Sequence, residues 1–149
     1  MSASALAGGW VVDFPHHDQT QLFALAADVE SYPRFIPWCR LARIRRRDGN
    51  LLEVDNLFGA GPVQARFRSA AEFDPPHRLD ITSRDGPFRH FRLTWVFETI
   101  ETGGCRVRAD YRMELRSGLL HSLARLSLPE MERRVVQNFK DRVRAACGR

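Results

Sequence analysis

From residue 91 to residue 116 the chain alternates apolar with mostly polar residues, and immediately afterwards the spacing becomes that of a helix. Phe91, Leu93, Trp95 and Phe97 alternate with Arg92, Thr94, Val96 and Glu98; Cys105, Val107, Ala109, Tyr111, Met113 and Leu115 alternate with Arg106, Arg108, Asp110, Arg112, Glu114 and Arg116. Successive side chains on a strand point to opposite faces, so these are two strands of a sheet with one greasy face and one wet face. Beyond them Leu120, Leu123, Leu128, Met131, Val135, Phe139, Val143 and Ala146 mark the stripe of a long amphipathic helix. A sheet with one apolar face needs a cover, and the terminal helix must supply it.

The same rules organise the rest of the chain. Trp10 to Phe14 reads as a short strand. Asp18 with Gln21 forms a capping box for a helix carrying Leu22, Phe23, Leu25, Ala26 and Val29, which ends near Tyr32 because Pro33 disfavours helical geometry before it. Tyr32 to Trp38 is a stiff, greasy loop or short helix. Leu41–Arg47 and Leu51–Phe58 flank Asp48-Gly49-Asn50, a hairpin signal. Val63, Ala65, Phe67, Ala71 and Phe73 define one face of a further strand, and Leu79 and Ile81 lie in the next, bounded by Pro75-Pro76 and Asp85-Gly86-Pro87. Pro129 predicts a kink or break in the terminal helix, and Ser127 to Glu130 also fits a capping box. The order is strand, helix, six antiparallel strands, long helix.

The chain has 149 residues, 44% hydrophobic and 28% charged, which suits one globular domain with one core. A single domain over 1–149 is expected, with residues 1–8 flexible. No apolar run approaches the roughly 18 residues of a membrane-spanning helix, and the opening residues lack the regions of a signal peptide. A soluble intracellular protein is expected. Cys39, Cys105 and Cys147 lack CxxC spacing, which points to reduced thiols and away from a disulfide framework or zinc site. The net charge is +5, and Lys140 is the sole lysine among 23 basic residues. That balance permits an RNA, an anionic membrane surface or simple solubility.

Four ordered motifs carry a resemblance: Tyr32 to Trp38 followed by Cys39; Asp74-Pro75-Pro76-His77-Arg78-Leu79-Asp80; Gly86 to His90 with Trp95 and Phe97; and Arg116-Ser117-Gly118-Leu119-Leu120 leading into the terminal helix. Together, over residues 9–148, the chain resembles the coenzyme Q-binding branch of the START-like (SRPBCC, polyketide cyclase/dehydrase) superfamily, whose bacterial members are also called ribosome-association toxins of the RatA type. The resemblance implies an α+β helix-grip fold: a curved antiparallel sheet of six or seven strands around the C-terminal helix, enclosing a hydrophobic tunnel for an isoprenoid quinone such as ubiquinone. It implies no required cofactor, no metal and no DNA. It places the protein in the bacterial cytoplasm, with peripheral contact at the inner membrane. The expected lining is Tyr32, Phe35, Ile36, Trp38, Phe67, Phe91, Trp95, Phe97, Tyr111, Met113, Leu120, Met131 and Val135. Two departures stand out. Leu57 to Val63 is glycine-rich and is expected to be a mobile loop that gates the cavity, and Pro129 is expected to reposition the first turns of the lid helix.

Burial alone can hold a prenyl tail, since each CH₂ contributes about 0.8 kcal/mol. Tyr111 is the best donor to a quinone carbonyl, unless its hydroxyl bonds a backbone carbonyl at the rim. Catalysis has little support: the inward registers offer Tyr111, Cys105 and Ser69 and no carboxylate, and none of the five histidines pairs at metal-ligand spacing. A carrier must collect its lipid from a membrane. Phe35, Ile36 and Trp38 either dip into the interface beside Arg40, Arg43, Arg45, Arg46 and Arg47, or fold inward as a lid. The rival reading is a toxin that binds the large ribosomal subunit through outer-register arginines (Arg66, Arg68, Arg106, Arg108, Arg112, Arg116), although cross-strand ion pairs explain many of the same residues.

Overall fold

The computed structural model describes residues 5–148. Seven strands, β1 (Leu6–Phe14), β2 (Cys39–Asp48), β3 (Leu51–Ala60), β4 (Val63–Asp74), β5 (Arg78–Ser83), β6 (Phe88–Thr99) and β7 (Cys105–Leu115), form one antiparallel sheet in the order β1-β7-β6-β5-β4-β3-β2. From β2 to β7 each strand pairs with the next, the arrangement that short antiparallel connections produce. Between the edge strands β1 and β2 the chain runs through α1 (Gln19–Ala27) and a 3₁₀ helix (Val29–Arg34), and α2 (Gly118–Cys147) follows β7. This is the expected helix-grip arrangement of a curved sheet and a long terminal helix.

Several boundaries differ from expectation, each for a physical reason. β1 starts at Leu6, so residues 6–8, expected to be flexible, are paired with β7: Leu6 lies opposite Met113 and Gly8 opposite Tyr111. Residues 1–4 lie outside the described residues. The Asp18–Gln21 capping box is present, with the Gln21 amide donating to Asp18 Oδ1 at 2.8 Å, but α1 ends at Ala27 and the chain tightens into the 3₁₀ helix, which contains Pro33. The glycine-rich segment is not a loose gate. β3 and β4 stay paired to their ends, with Ala60 opposite Val63, and Gly61 at φ +60° turns the chain in two residues.

Pro129 neither breaks nor caps α2. The helix runs continuously from the Ser117 cap, and the Ser127 hydroxyl donates to the Leu123 carbonyl one turn back. Pro129 is exposed, so the carbonyl it leaves without a backbone donor can meet water. The stripe also differs in detail: Ala124, Leu128, Val135, Phe139 and Val143 are buried, whereas Leu123 is 43% exposed and Ala146 is exposed.

On the wet face of the sheet, arginines pair across strands: Arg68 and Arg45 with Asp55, Arg106 with Asp13, Arg108 with Glu98. Asp80 accepts from Arg78 Nε (2.8 Å), Arg92 Nη2 (3.2 Å) and Thr94 Oγ1 (2.6 Å). Partial burial pushes its carboxyl up, but those donors outweigh burial and hold it below the usual carboxylate range. A carboxyl depressed by folding stabilises the protein above its unfolded value of about 3.9 and loses that contribution as the pH falls through the lower folded value. Urea midpoints measured downward from about pH 6 should therefore drop below about pH 4, less steeply in Asp80→Asn. Parallel profiles for the two proteins would reject the assignment.

Candidate functional site

Trp95 divides the interior. On one side the packing is solid: Phe97 stacks on the indole at 6.2 Å, Phe139 lies 5.2 Å from it, and Phe23, Phe35 and Phe14 close around these two rings at 5.5 to 5.9 Å. Here the C-terminal half of α2 is tied down. Val135, Phe139 and Val143 are buried, Asn138 Nδ2 donates to the Phe35 carbonyl at 3.1 Å, and Arg142 pairs with Asp28 at 3.7 Å. On the other side α2 spans the sheet without filling the space beneath it, and a cavity of about 380 Å³ remains, within the range that holds small ligands. Small residues make the room: Ala65, Ser69 and Ala71 on β4 face the cavity where larger side chains would meet α2. An aromatic group closes its far end, with Phe67 4.9 Å from Phe88 and 5.1 Å from Phe58, and Phe88 4.9 Å from Phe91.

Of the residues expected to line the cavity, Tyr32, Ile36, Trp38, Phe67, Phe91, Trp95, Tyr111, Met113, Leu120, Met131 and Val135 do so. Phe35 and Phe97 do not. Both are turned into the solid half, Phe35 against Tyr32 and Phe139, Phe97 against Phe23 and Trp95. Burial decides the fate of two of the three greasy side chains: Phe35 is 1% and Ile36 8% exposed, so both fold inward, whereas Trp38 is half-buried. The neighbouring arginines of β2 lie along an open sheet edge, where charge discourages pairing with another strand.

Trp10, Phe58, Phe88 and Asn56 line the cavity without having been expected there. Asn56 carried a readable signal, a polar residue in the inward register between Val54 and Phe58. Phe88 was obscured by the register shift between Phe88 and His90.

The polar groups of the site are few. Tyr32 points its hydroxyl away, donating to the Ala26 carbonyl at 2.6 Å, and burial pushes its phenol far above the ordinary range. The Trp95 indole nitrogen lies beside that hydroxyl but closes no hydrogen bond among the described residues. Tyr111 donates to the Glu132 carboxylate of α2, not to a backbone carbonyl or a free position. The inward strand registers hold no carboxylate, as expected; Glu132 comes from the helix and meets the hydroxyl of a lining residue without itself lining the cavity. Gly8 makes this contact possible: a Cβ there would lie 2.5 Å from the Tyr111 hydroxyl oxygen and 2.8 Å from Cζ. Burial first, and then Glu132, raise the Tyr111 phenol well above its ordinary value.

Neither buried thiol is suited to nucleophilic chemistry. Burial pushes Cys39 up to about 12 and Cys105 up to about 11. At about pH 8 a thiol reagent should modify Cys147 and spare the other two on the same timescale, as read by peptide mass mapping. Fast labelling of Cys39 would refute this. Among the described residues no group of three or more His, Cys, Asp and Glu is placed to hold a metal ion, and no helix is long and apolar enough to cross a membrane.

Known proteins resemble this chain in sequence or in fold. The family described as polyketide cyclase/dehydrase and lipid transport matches residues 16–140. The ribosome association toxin RatA of Pseudomonas aeruginosa is 22% identical over 127 residues, covering 85% of this chain and 88% of that protein. The mitochondrial coenzyme Q-binding protein COQ10 homolog B of Xenopus laevis is 28% identical over 134 residues, 87% of this chain but 54% of that protein, so the chain spans about half the length of this relative. The crystal structure of the Zhui aromatase/cyclase from a Streptomyces species matches with a TM-score of 0.75 at 14% identity, over 98% of this chain and 100% of that one, a likeness of fold alone. With a matching family over most of its length and a cavity beneath a gripped helix, the chain belongs to the polyketide cyclase/dehydrase and lipid transport family.

Proposed function

We propose that the protein binds an isoprenoid quinone, a ubiquinone-like lipid, in the cavity under α2 and acts as a non-catalytic carrier or chaperone that supports respiratory electron transport. The observation that carries this reading is the cavity itself, about 380 Å³, walled almost entirely by carbon. A buried five-carbon prenyl unit contributes up to roughly 4 kcal/mol, so two or three units suffice for micromolar affinity after ordering costs. Organic extraction of purified protein followed by mass spectrometry tests it. An isoprenoid quinone is expected; an extract without one, from protein that also fails to bind added decylubiquinone, would sink the reading.

The lipid must pass from a bilayer to the cavity. Leu119 and Leu126 are 71% and 76% exposed and, with Leu123, make an i, i+4, i+7 stripe on the first half of α2. Leu123 also lines the cavity, as do Leu120 and Ala124, so an apolar surface runs from the outside of the helix to the interior. This stripe, with Arg125 exposed beside it, suits an anionic bilayer and takes the place of the buried Phe35 and Ile36. Leu119→Ser with Leu126→Ser should reduce flotation with phosphatidylglycerol vesicles several-fold; undiminished flotation would remove the stripe from the account.

A second reading keeps weight because the RatA relative is matched over 88% of its length: a toxin that binds the large ribosomal subunit. Arginines exposed on β2 and on the wet face would meet phosphates, although several already pair with carboxylates. Sedimentation with ribosomal subunits at low salt separates the two, since the carrier stays at the top of the gradient. A cyclase-like enzyme is weaker, because the Tyr111 proton is held by burial and by Glu132.

A further inference from the structure

The cavity is not uniform along its length. It meets the surface beside the aromatic group, where the lining residues Ala60, Val63 and Leu123 are exposed. The hairpin between β3 and β4 and the first turns of α2 form this mouth, and Phe58, Ala65 and Leu120 behind it are carbon as well. Two polar side chains stand near it. Trp38 has its backbone carbonyl bonded to the Gly59 amide at 2.9 Å, and Ser127 gives its proton to the Leu123 carbonyl at 2.8 Å. Other polar groups gather further in. Ser69 stands six residues along β4 from Val63, about 20 Å at the rise of a strand, and Asn56 Nδ2 donates to its hydroxyl oxygen at 3.0 Å. Tyr111 lies one row deeper, in line with Ala71, Ile81 and Leu93. Behind it the indoles of Trp10 and Trp95 make the floor, with ring centres 5.9 Å apart and Trp10 6.5 Å from the Tyr111 ring. The indole N–H groups of Trp10, Trp38 and Trp95 make no hydrogen bond among the described residues.

The inner end therefore holds both donors and acceptors, whereas carbon dominates the mouth. A head group lodged at the mouth would leave the inner hydroxyl, amide and indole groups facing a hydrocarbon tail, and each polar group kept so from water costs about 1–3 kcal/mol. Lodged against the floor, its oxygens meet those groups and the tail meets carbon. Volume points the same way. About 380 Å³ cannot enclose a long prenyl tail, so most of such a tail must lie outside, and the apolar surface continuous with the mouth is the stripe of Leu119, Leu123 and Leu126. We infer that the lipid is held head-inward, its ring between Ser69 and the Trp10–Trp95 floor, and its tail leaving past Val63 and Leu123 onto the leucine stripe. The inference rests on the quinone reading for the identity of the head group, and it defines the class of cargo. Among the described residues no charged side chain lines the cavity, so the site takes lipids with an uncharged, oxygen-bearing ring and sets no upper limit on tail length. The outer part of the tail then stays in the bilayer on which α2 docks.

Two photoreactive derivatives of decylubiquinone test the orientation, one with an azide on the ring and one with a diazirine at the end of the tail, each located by peptide mass mapping. The ring azide should label the inner group around Trp10, Ser69 and Tyr111. The tail diazirine should label the mouth, within 59–63 and 119–126. Unmodified ubiquinones with two, three and four prenyl units, competing for a fluorescent apolar probe, give an independent readout. The four-unit compound should bind within about threefold of the three-unit one, because its last unit lies outside the cavity. A tail aimed at the floor would meet a wall, and a unit too many would weaken binding about tenfold or more. Reversed labelling, or affinity that collapses at the fourth unit, overturns the inference and leaves quinone binding standing. Labelling of no cavity residue by either derivative, with no displacement by any of the three ubiquinones, overturns both.

Discussion

Ala65→Trp is expected to lower affinity for a decyl-chain quinone by at least about a hundredfold while leaving a folded protein. Ala65 stands half-buried on β4, and its side chain borders the cavity. An indole at this position projects into a space of about 380 Å³ and takes up the volume that head group and first prenyl unit would share. Overpacking a filled core costs about 1–3 kcal/mol, but here the added atoms enter a void, so the thermal midpoint should change little or rise. The readouts are probe displacement and the amount of lipid co-purifying with the protein. If the tryptophan variant binds as the parent does, the lipid sits elsewhere and the cavity reading fails.

The largest loss of stability is expected at Trp95. It is fully buried and touches Trp10, Phe97 and Phe139, joining the solid half of the interior to the cavity wall. Trp95→Ala should destabilise by about 3–5 kcal/mol, because the deleted ring leaves a hole next to an existing one and little can collapse into it. Trp95→Phe isolates a second effect. It gives up some volume but also removes the indole N–H, which is buried without a partner among the described residues and costs the folded state about 1–3 kcal/mol. The two changes offset, so the phenylalanine variant should lie within about 1.5 kcal/mol of the parent in urea unfolding. A loss as large as that of alanine would show that the N–H is satisfied.

How much of this was legible in the chain depends on the range over which each feature is set. The alternation in β6 and β7 was readable residue by residue because the pleat imposes it locally, and buried Leu93, Trp95, Phe97, Val107, Ala109, Tyr111 and Met113 follow it. The Asp18 cap was equally local, since both partners lie within one turn. The glycine-rich stretch misled because glycine marks both loose loops and tight hairpins, and only pairing with β4 distinguishes them. Of the two outcomes expected at Pro129, a break did not occur, because the orphaned carbonyl on this exposed face can reach water. Phe35 and Phe97 share their pattern with true lining residues; their place in the solid half follows from long-range contacts, Phe35 with Phe139, more than a hundred residues away, and Phe97 with Phe23. Glu132 could not be found by register, because its position relies on the space at Gly8, far away in sequence.

The sequence by itself determined that an antiparallel sheet with one apolar face lies under a long amphipathic helix, because periods of two and 3.6 are written in neighbouring residues and report directly which way each side chain points. Only the tertiary structure decided that the helix seats against one half of that sheet and bridges the other, and that a carboxylate meets Tyr111 there. Whether facing surfaces touch or leave a hollow depends on summed side-chain volumes and on curvature, quantities that belong to distant residues together and to none of them alone.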